Sequence, residues 1–168
     1  MPNAVKTFVR YVDTLNRYVG LLAMYMIFAM IGVLLYSTFT KFSIPALWTL
    51  ETAQFIMVAY FLLGGGYSMQ MDSHVRMDLL YGTWSPRTRA GVDSFTILFL
   101  IFYLVLLLYG GISSTQYALK YDEHSYSAWS PPMAPIKIVM CIGISLMLLQ
   151  AIAMFFRNLA EARGEPLP

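Results

Sequence analysis

The stretch from Trp48 to Asp93, WTLETAQFIMVAYFLLGGGYSMQMDSHVRMDLLYGTWSPRTRAGVD, decides how the chain is read. It opens on Trp48 and Glu51, stays uncharged from Thr52 to Met71, and turns polar at Asp72-Ser73-His74-Val75-Arg76-Met77-Asp78 and again at Ser85-Pro86-Arg87. A membrane-crossing helix needs about 20 apolar residues at about 1.5 Å rise each, and the uncharged run meets that length. The polar segment after it is then a turn at a membrane surface. Of the twenty charged side chains in the protein, seven lie in this stretch (Glu51, Asp72, Arg76, Asp78, Arg87, Arg89 and Asp93), which marks it as a place for specific contacts.

Three further uncharged runs flank it: Tyr18 to Thr40, Ser94 to Leu119 and Ile138 to Phe156. With 58% hydrophobic residues, 12% charged residues and a mean hydropathy of +0.61, the chain is far more apolar than a soluble domain. The expectation is a single all-α integral membrane domain over residues 1–168. Its transmembrane helices are expected at 18–39, 52–71, 94–118 and 137–156. The first run exceeds the roughly 7–15 residues of a secretory signal core and no small-x-small cleavage site follows it, so it is read as a retained anchor. The single Cys141 excludes a disulfide framework.

Positive residues flanking membrane helices stay cytoplasmic. Lys6, Arg10, Arg17, Arg76, Arg87, Arg89, Arg157 and Arg163 fall on one side of a four-span arrangement and Lys41, Lys120 and Lys137 on the other, eight against three. Both termini are therefore expected in the cytoplasm. Ahead of the first span, Val5, Phe8, Val9, Val12 and Leu15 recur at spacings of three and four, with Lys6, Arg10, Asp13 and Arg17 opposite. This predicts an amphipathic helix over 4–17 lying in the headgroup plane before the chain turns into the bilayer. A simple extension of the first span into water is the alternative. Residues 160–168 are expected to be a disordered tail.

Several residues stand out as candidates for contacts. Glu51 sits at the entry of the second span, where a helix N-terminus favours a carboxylate, or where it could meet a cation of another subunit. Gly64, Gly65 and Gly66 are consecutive helical glycines, each costing about 1 kcal/mol relative to Ala. Close helix approach is the expected compensation, with Gly110 and Gly111 of the third span as a plausible opposing surface. Ser85-Pro86 reads as a cap followed by proline at the first helical position, so the third helix is expected to begin well before its apolar part and to be the longest element. Gln150 is the main polar group of the fourth span and could bond to a neighbouring helix. Phe42, Pro45 and Trp48 suggest an aromatic cluster at the membrane boundary, and the outer link carries Tyr126, Trp129, Pro131, Pro132 and Pro135. His74 and His124 are predicted on opposite sides of the membrane, which leaves no pair of ligands for a haem.

On these features the chain resembles the small membrane subunit of tripartite ATP-independent periplasmic (TRAP) transporters, a DctQ-like family. The features are the amphipathic start, four spans, Trp48 and Glu51 at the second span, the His74-x-Arg76-x-Asp78 segment and Pro86 after it. The resemblance implies a non-enzymatic scaffold subunit in a bacterial inner membrane. It also implies a large membrane subunit as partner, which moves an organic acid in symport with sodium, and a periplasmic substrate-binding protein that feeds it. Membrane lipids are the remaining contacts; no cofactor, metal or nucleic acid is expected. Within that frame Glu51, the glycine clusters and Gln150 are assigned to subunit packing. His74, Arg76, Asp78, Arg87 and Arg89 are assigned to cytoplasmic-side contacts, and Tyr126, Trp129, Pro131, Pro132 and Pro135 to periplasmic docking. The alternatives are an autonomous four-helix carrier and a membrane enzyme. The first needs an essential embedded carboxylate and the second a polar cluster facing the bilayer.

Overall fold

A computed structural model of the chain describes residues 3–41, 46–71 and 86–162, with side chains over 5–41, 46–71 and 91–161. Four helices follow one another: α1 (Asn3–Thr40), α2 (Trp48–Gln70), α3 (Pro86–Tyr121) and α4 (Ala134–Ala162). They run up, down, up and down, with α1 against α2 and α4, α2 against α4, and α3 along α4. Among the described residues α2 and α3 do not pack along their lengths, because α4 stands between them. Met69 of α2, Leu104 of α3 and Ile144 and Ala151 of α4 form the central apolar cluster.

The turn expected near Arg17 is absent. α1 is one unbroken helix of 38 residues, which makes it, rather than α3 with 36, the longest element. The reason lies in its buried stripe. Val9, Val12, Asn16, Gly20 and Ala23 are all buried and follow one another at spacings of three, four, four and three, so the packed face passes through positions 17 and 18 without losing phase. Val9 and Val12 pack on Ala153 of α4, beside Leu149 and Phe156. The apolar side of the amphipathic start is thus covered by α4 and not laid on a headgroup plane.

α1, α3 and α4 are long and apolar enough to cross a membrane. α2, with 23 residues, is not one of them, because Glu51, Gln54, three glycines, Ser68 and Gln70 interrupt its apolar run. Polar side chains along the helices turn back on their own backbone. Thr38, Thr52, Thr96, Thr115 and Ser145 each donate to the carbonyl four residues earlier, which satisfies the hydroxyl within its own helix.

α3 begins at Pro86, where a missing backbone N–H costs nothing. α4 begins at Ala134, so Pro135 lies in its first turn rather than in the outer link. Trp48 lies against Tyr36, the rings tilted by 32° with centroids 5.7 Å apart. Residues 160–162, expected to open a disordered tail, are instead the last residues of α4, with Ala160 buried in the bundle, while Phe42, Pro45 and residues 163–168 lie outside the described residues.

Candidate functional site

Three groups of residues carry the polar and unpartnered features of the bundle. The first is a buried tie between α1 and α4. Asp13 and Asn16 stand one turn apart on α1, and Gln150 and Arg157 two turns apart on α4, so each pair shares a face. Asn16 Nδ2 donates to Gln150 Oε1 at 2.8 Å, and Gln150 Nε2 donates to Asp13 Oδ1 at 2.9 Å. Arg157 Nη2 donates to the other carboxylate oxygen of Asp13. Asn16 and Gln150 have no exposed surface at all. The Asp13 carboxylate therefore accepts from two donors, and the tie acts as a structural bolt. Sequence reasoning singled out Gln150 but missed Asn16, Asp13 and Arg157. The signal was available, since Asn16 falls in phase with Val9 and Val12.

The glycines explain how the helices come so close. A Cβ on Gly66 would lie 2.4 Å from Asn16 Oδ1, and one on Gly65 would lie 2.8 Å from Met147 Sδ. A Cβ on Gly143 would meet Leu62 Cβ at 2.8 Å and its backbone carbonyl carbon at 2.9 Å, and one on Gly20 would meet Tyr67 Cβ at 2.4 Å. Gly64 has only an ordinary contact with Ala23 at 3.7 Å. The expected apposition of Gly64–Gly66 with Gly110–Gly111 does not occur, because α4 intervenes. Gly111 faces Cys141 of α4 at 3.3 Å, and Gly110 has nothing within 4 Å. Gly65, Gly66, Gly111 and Gln150 are engaged inside the chain; Gly66, Gly111 and Gln150 are buried and Gly65 is half-buried.

The second group lies on the outer faces. Ile97, Leu104, Gly111 and Ala118 of α3 repeat every seven residues and are buried on the α4 side. On the opposite side Phe95, Phe99, Phe102, Leu106 and Tyr109, spaced by four and three, are each more than half exposed. Glu51 occupies the first turn of α2, and its Oε2 is buried without a hydrogen-bond partner. The assigned cytoplasmic-side residues His74, Arg76 and Asp78 lie outside the described residues. Arg87 and Arg89 fall on the first turn of α3, with side chains outside the described set.

The third group is the outer link between α3 and α4, which folds as a small hairpin. His124 and Pro132 form an isolated antiparallel bridge. Ser125 N donates to the Pro131 carbonyl at 3.0 Å, and Met133 N donates to the Glu123 carbonyl at 2.9 Å. Lys137 of α4 pairs with Glu123 at 2.5 Å and fastens the hairpin to the bundle. Tyr126 at the tip is fully exposed and Trp129 is 43% exposed. Pro132 is exposed but Pro131 is buried, so of the assigned docking residues Pro131 builds the hairpin rather than its surface. Asp122 and Ser130 adopt left-handed backbone angles, φ 48 and 47°. His124 touches both: Nδ1 is 2.9 Å from the Ser130 carbonyl oxygen and Nε2 is 3.4 Å from Asp122 Oδ2. These acceptors hold the His124 pKa above its ordinary value, the Ser130 carbonyl contributing most and the Asp122 carboxylate next.

Compared with known proteins, residues 30–161 match the family model described as tripartite ATP-independent periplasmic transporters, DctQ component. No curated protein matches the chain. The family match begins within α1, so Asp13 and Asn16 of the polar tie lie before it and Gln150 and Arg157 lie inside it.

Proposed function

This chain belongs to the DctQ family of TRAP transporter components, and from that premise we propose that it is the small scaffold subunit of a sodium-coupled, binding-protein-dependent importer of an organic acid. The family match over residues 30–161 carries this reading. The family is a transporter component and not an enzyme family.

The bundle supports a static role. Its helix contacts are sealed by glycines without room for a Cβ, and its buried amides are tied across α1 and α4. With Gly65, Gly66, Gly111 and Gly143 engaged inside the chain, the contact with the large membrane subunit falls to the aromatic outer face of α3, where Gly110 is also exposed, and to Glu51, whose side chain is half-buried at the start of α2. The hairpin tip, with Tyr126, Trp129 and Pro132, is assigned to docking of the periplasmic binding protein. The excess of Lys and Arg at the end where α1 starts and α4 finishes supports assigning that end to the cytoplasmic side of a bacterial inner membrane. α2 makes the fourth crossing. It runs alongside α1, from Thr49 bonded to Ser37 at one end to Gly66 beside Asn16 at the other, with its glycines turned to α1 and α4.

Affinity purification in mild detergent from native cells, followed by mass spectrometry, tests the assignment. A large multi-helix membrane protein in about equal amount is the expected result. Recovery of the chain alone or as a homo-oligomer, together with solute uptake by the reconstituted chain, would establish the autonomous carrier instead.

A further inference from the structure

Both ring nitrogens of His124 face hydrogen-bond acceptors of the chain: the Ser130 carbonyl at Nδ1 and the Asp122 carboxylate at Nε2. A neutral imidazole carries a single N–H. If Nδ1 keeps it to satisfy Ser130, the bare lone pair of Nε2 confronts a carboxylate. If Nε2 keeps it, the Ser130 carbonyl loses the His124 donor and the tie to that corner opens to water. Only the imidazolium donates to both.

The two residues so joined are the two non-glycine positions with left-handed backbone angles among the described residues. Such a conformation is unfavourable for an L-residue and persists when its surroundings hold it. Asp122 turns the chain out of α3 and Ser130 turns it back toward α4, so they are the two corners of the hairpin. Between them lies the tip with Tyr126 and Trp129.

We propose that the outer hairpin is a proton-operated clasp, in which the charged ring of His124 ties the Asp122 and Ser130 corners together and thereby sets the position of Tyr126 and Trp129. This rests on the hairpin geometry and not on the docking assignment. The charged neighbours leave His124 as the group that operates it. Glu123 is engaged by Lys137 from α4, and Lys120 on the last turn of α3 lies over the Tyr121 ring, 5.4 Å from its centroid. Asp122 is the one carboxylate in contact with the imidazole among the described residues. The sign follows from the raised pKa. The clasp is closed below the ordinary imidazole value near 6.5, and it opens as pH rises through the higher value of the folded hairpin.

The test uses the full chain in lipid nanodiscs with Trp48→Phe and Trp84→Phe, leaving Trp129 as the sole tryptophan. Its quenching by acrylamide, a neutral probe, is followed from about pH 5 to pH 9. Quenching is expected to rise with pH in one transition centred above the free-imidazole value of about 6.5. His124→Gln should abolish the transition, and Asp122→Asn should shift its midpoint downward while helix content stays unchanged. A flat profile in the parent chain, a transition that survives His124→Gln, or a midpoint indifferent to Asp122→Asn would each overturn the clasp.

Discussion

Gly66 has no side chain because Asn16 already occupies the place of one. The Asn16 amide cannot swing away cheaply, since it is wholly buried and its Nδ2 is held by Gln150. Gly66→Ala is therefore expected to cost about 1–3 kcal/mol, the usual range for overpacking a filled interior. Adding Asn16→Ala to it should cost less than the two single changes summed, because the clash disappears with the amide. Gly143→Ala should be at least as damaging, since the obstruction includes the backbone of Leu62 and not only a side-chain end. Gly110→Ala faces open space and should be neutral or stabilising by up to about 1 kcal/mol. Equilibrium unfolding of the three variants in detergent orders them. Equal effects at positions 66, 110 and 143 would show that the packing of the glycines is wrongly described. Asp13→Asn keeps the shape of the tie but leaves the Arg157 guanidinium, one-third exposed, without its counter-charge. The same unfolding experiment should register a loss of about 1–3 kcal/mol, below the 3–5 kcal/mol of a fully buried pair because water still reaches Arg157.

At the scale of the helix, the long α1 makes the sharpest departure from what its residues suggest one by one. Lys6, Arg10 and Arg17 mark the segment as surface, and composition alone then invites a turn into the bilayer after it. Phase carries the opposite message, because the stripe Val9, Val12, Asn16, Gly20, Ala23 runs straight through the junction. It was hard to read because two of its members are a polar residue and a glycine, whose burial follows only once Gln150 and Tyr67 are known to face them. The start of α3 was legible, since Pro86 after Ser85 is a local signal that needs no partner. That α3 touches α4 and not α2 was not legible, because helix order in a bundle is settled by which faces meet, and the glycine clusters of α2 and α3 look alike in sequence. Tyr18→Pro separates the two descriptions of α1. At a turn between two helices a proline is tolerated, but inside a continuous helix it removes a hydrogen bond and clashes with the preceding turn, for about 3 kcal/mol. The loss is expected here, with Tyr18→Ala nearly silent as its control because Tyr18 is exposed.

For the molecule as a whole, the number of crossings determines which surfaces share a compartment. Asn16 and Ser37 of α1 are level with the two ends of α2, and the 21 helical steps from one to the other correspond to about 32 Å, close to the thickness of a bilayer core. If α2 crosses at that depth, Lys41 and Met71 emerge on opposite sides, and Met71 emerges on the side of Arg10. If α2 stays at one surface, Lys41 and Met71 share it. Single cysteines at Arg10, Lys41, Met71 and Tyr126, all exposed, placed in a Cys141→Ser chain, distinguish the two cases. With an impermeant maleimide applied to spheroplasts, labelling is expected at Lys41→Cys and Tyr126→Cys without permeabilisation, and at Arg10→Cys and Met71→Cys only after it. Labelling of Met71→Cys from outside together with Lys41→Cys would leave α2 as a surface helix and remove the four-crossing arrangement. Labelling of Arg10→Cys and Met71→Cys from outside, with Lys41→Cys and Tyr126→Cys protected, would keep four crossings but invert them, and would put the Tyr126 tip out of reach of any periplasmic partner.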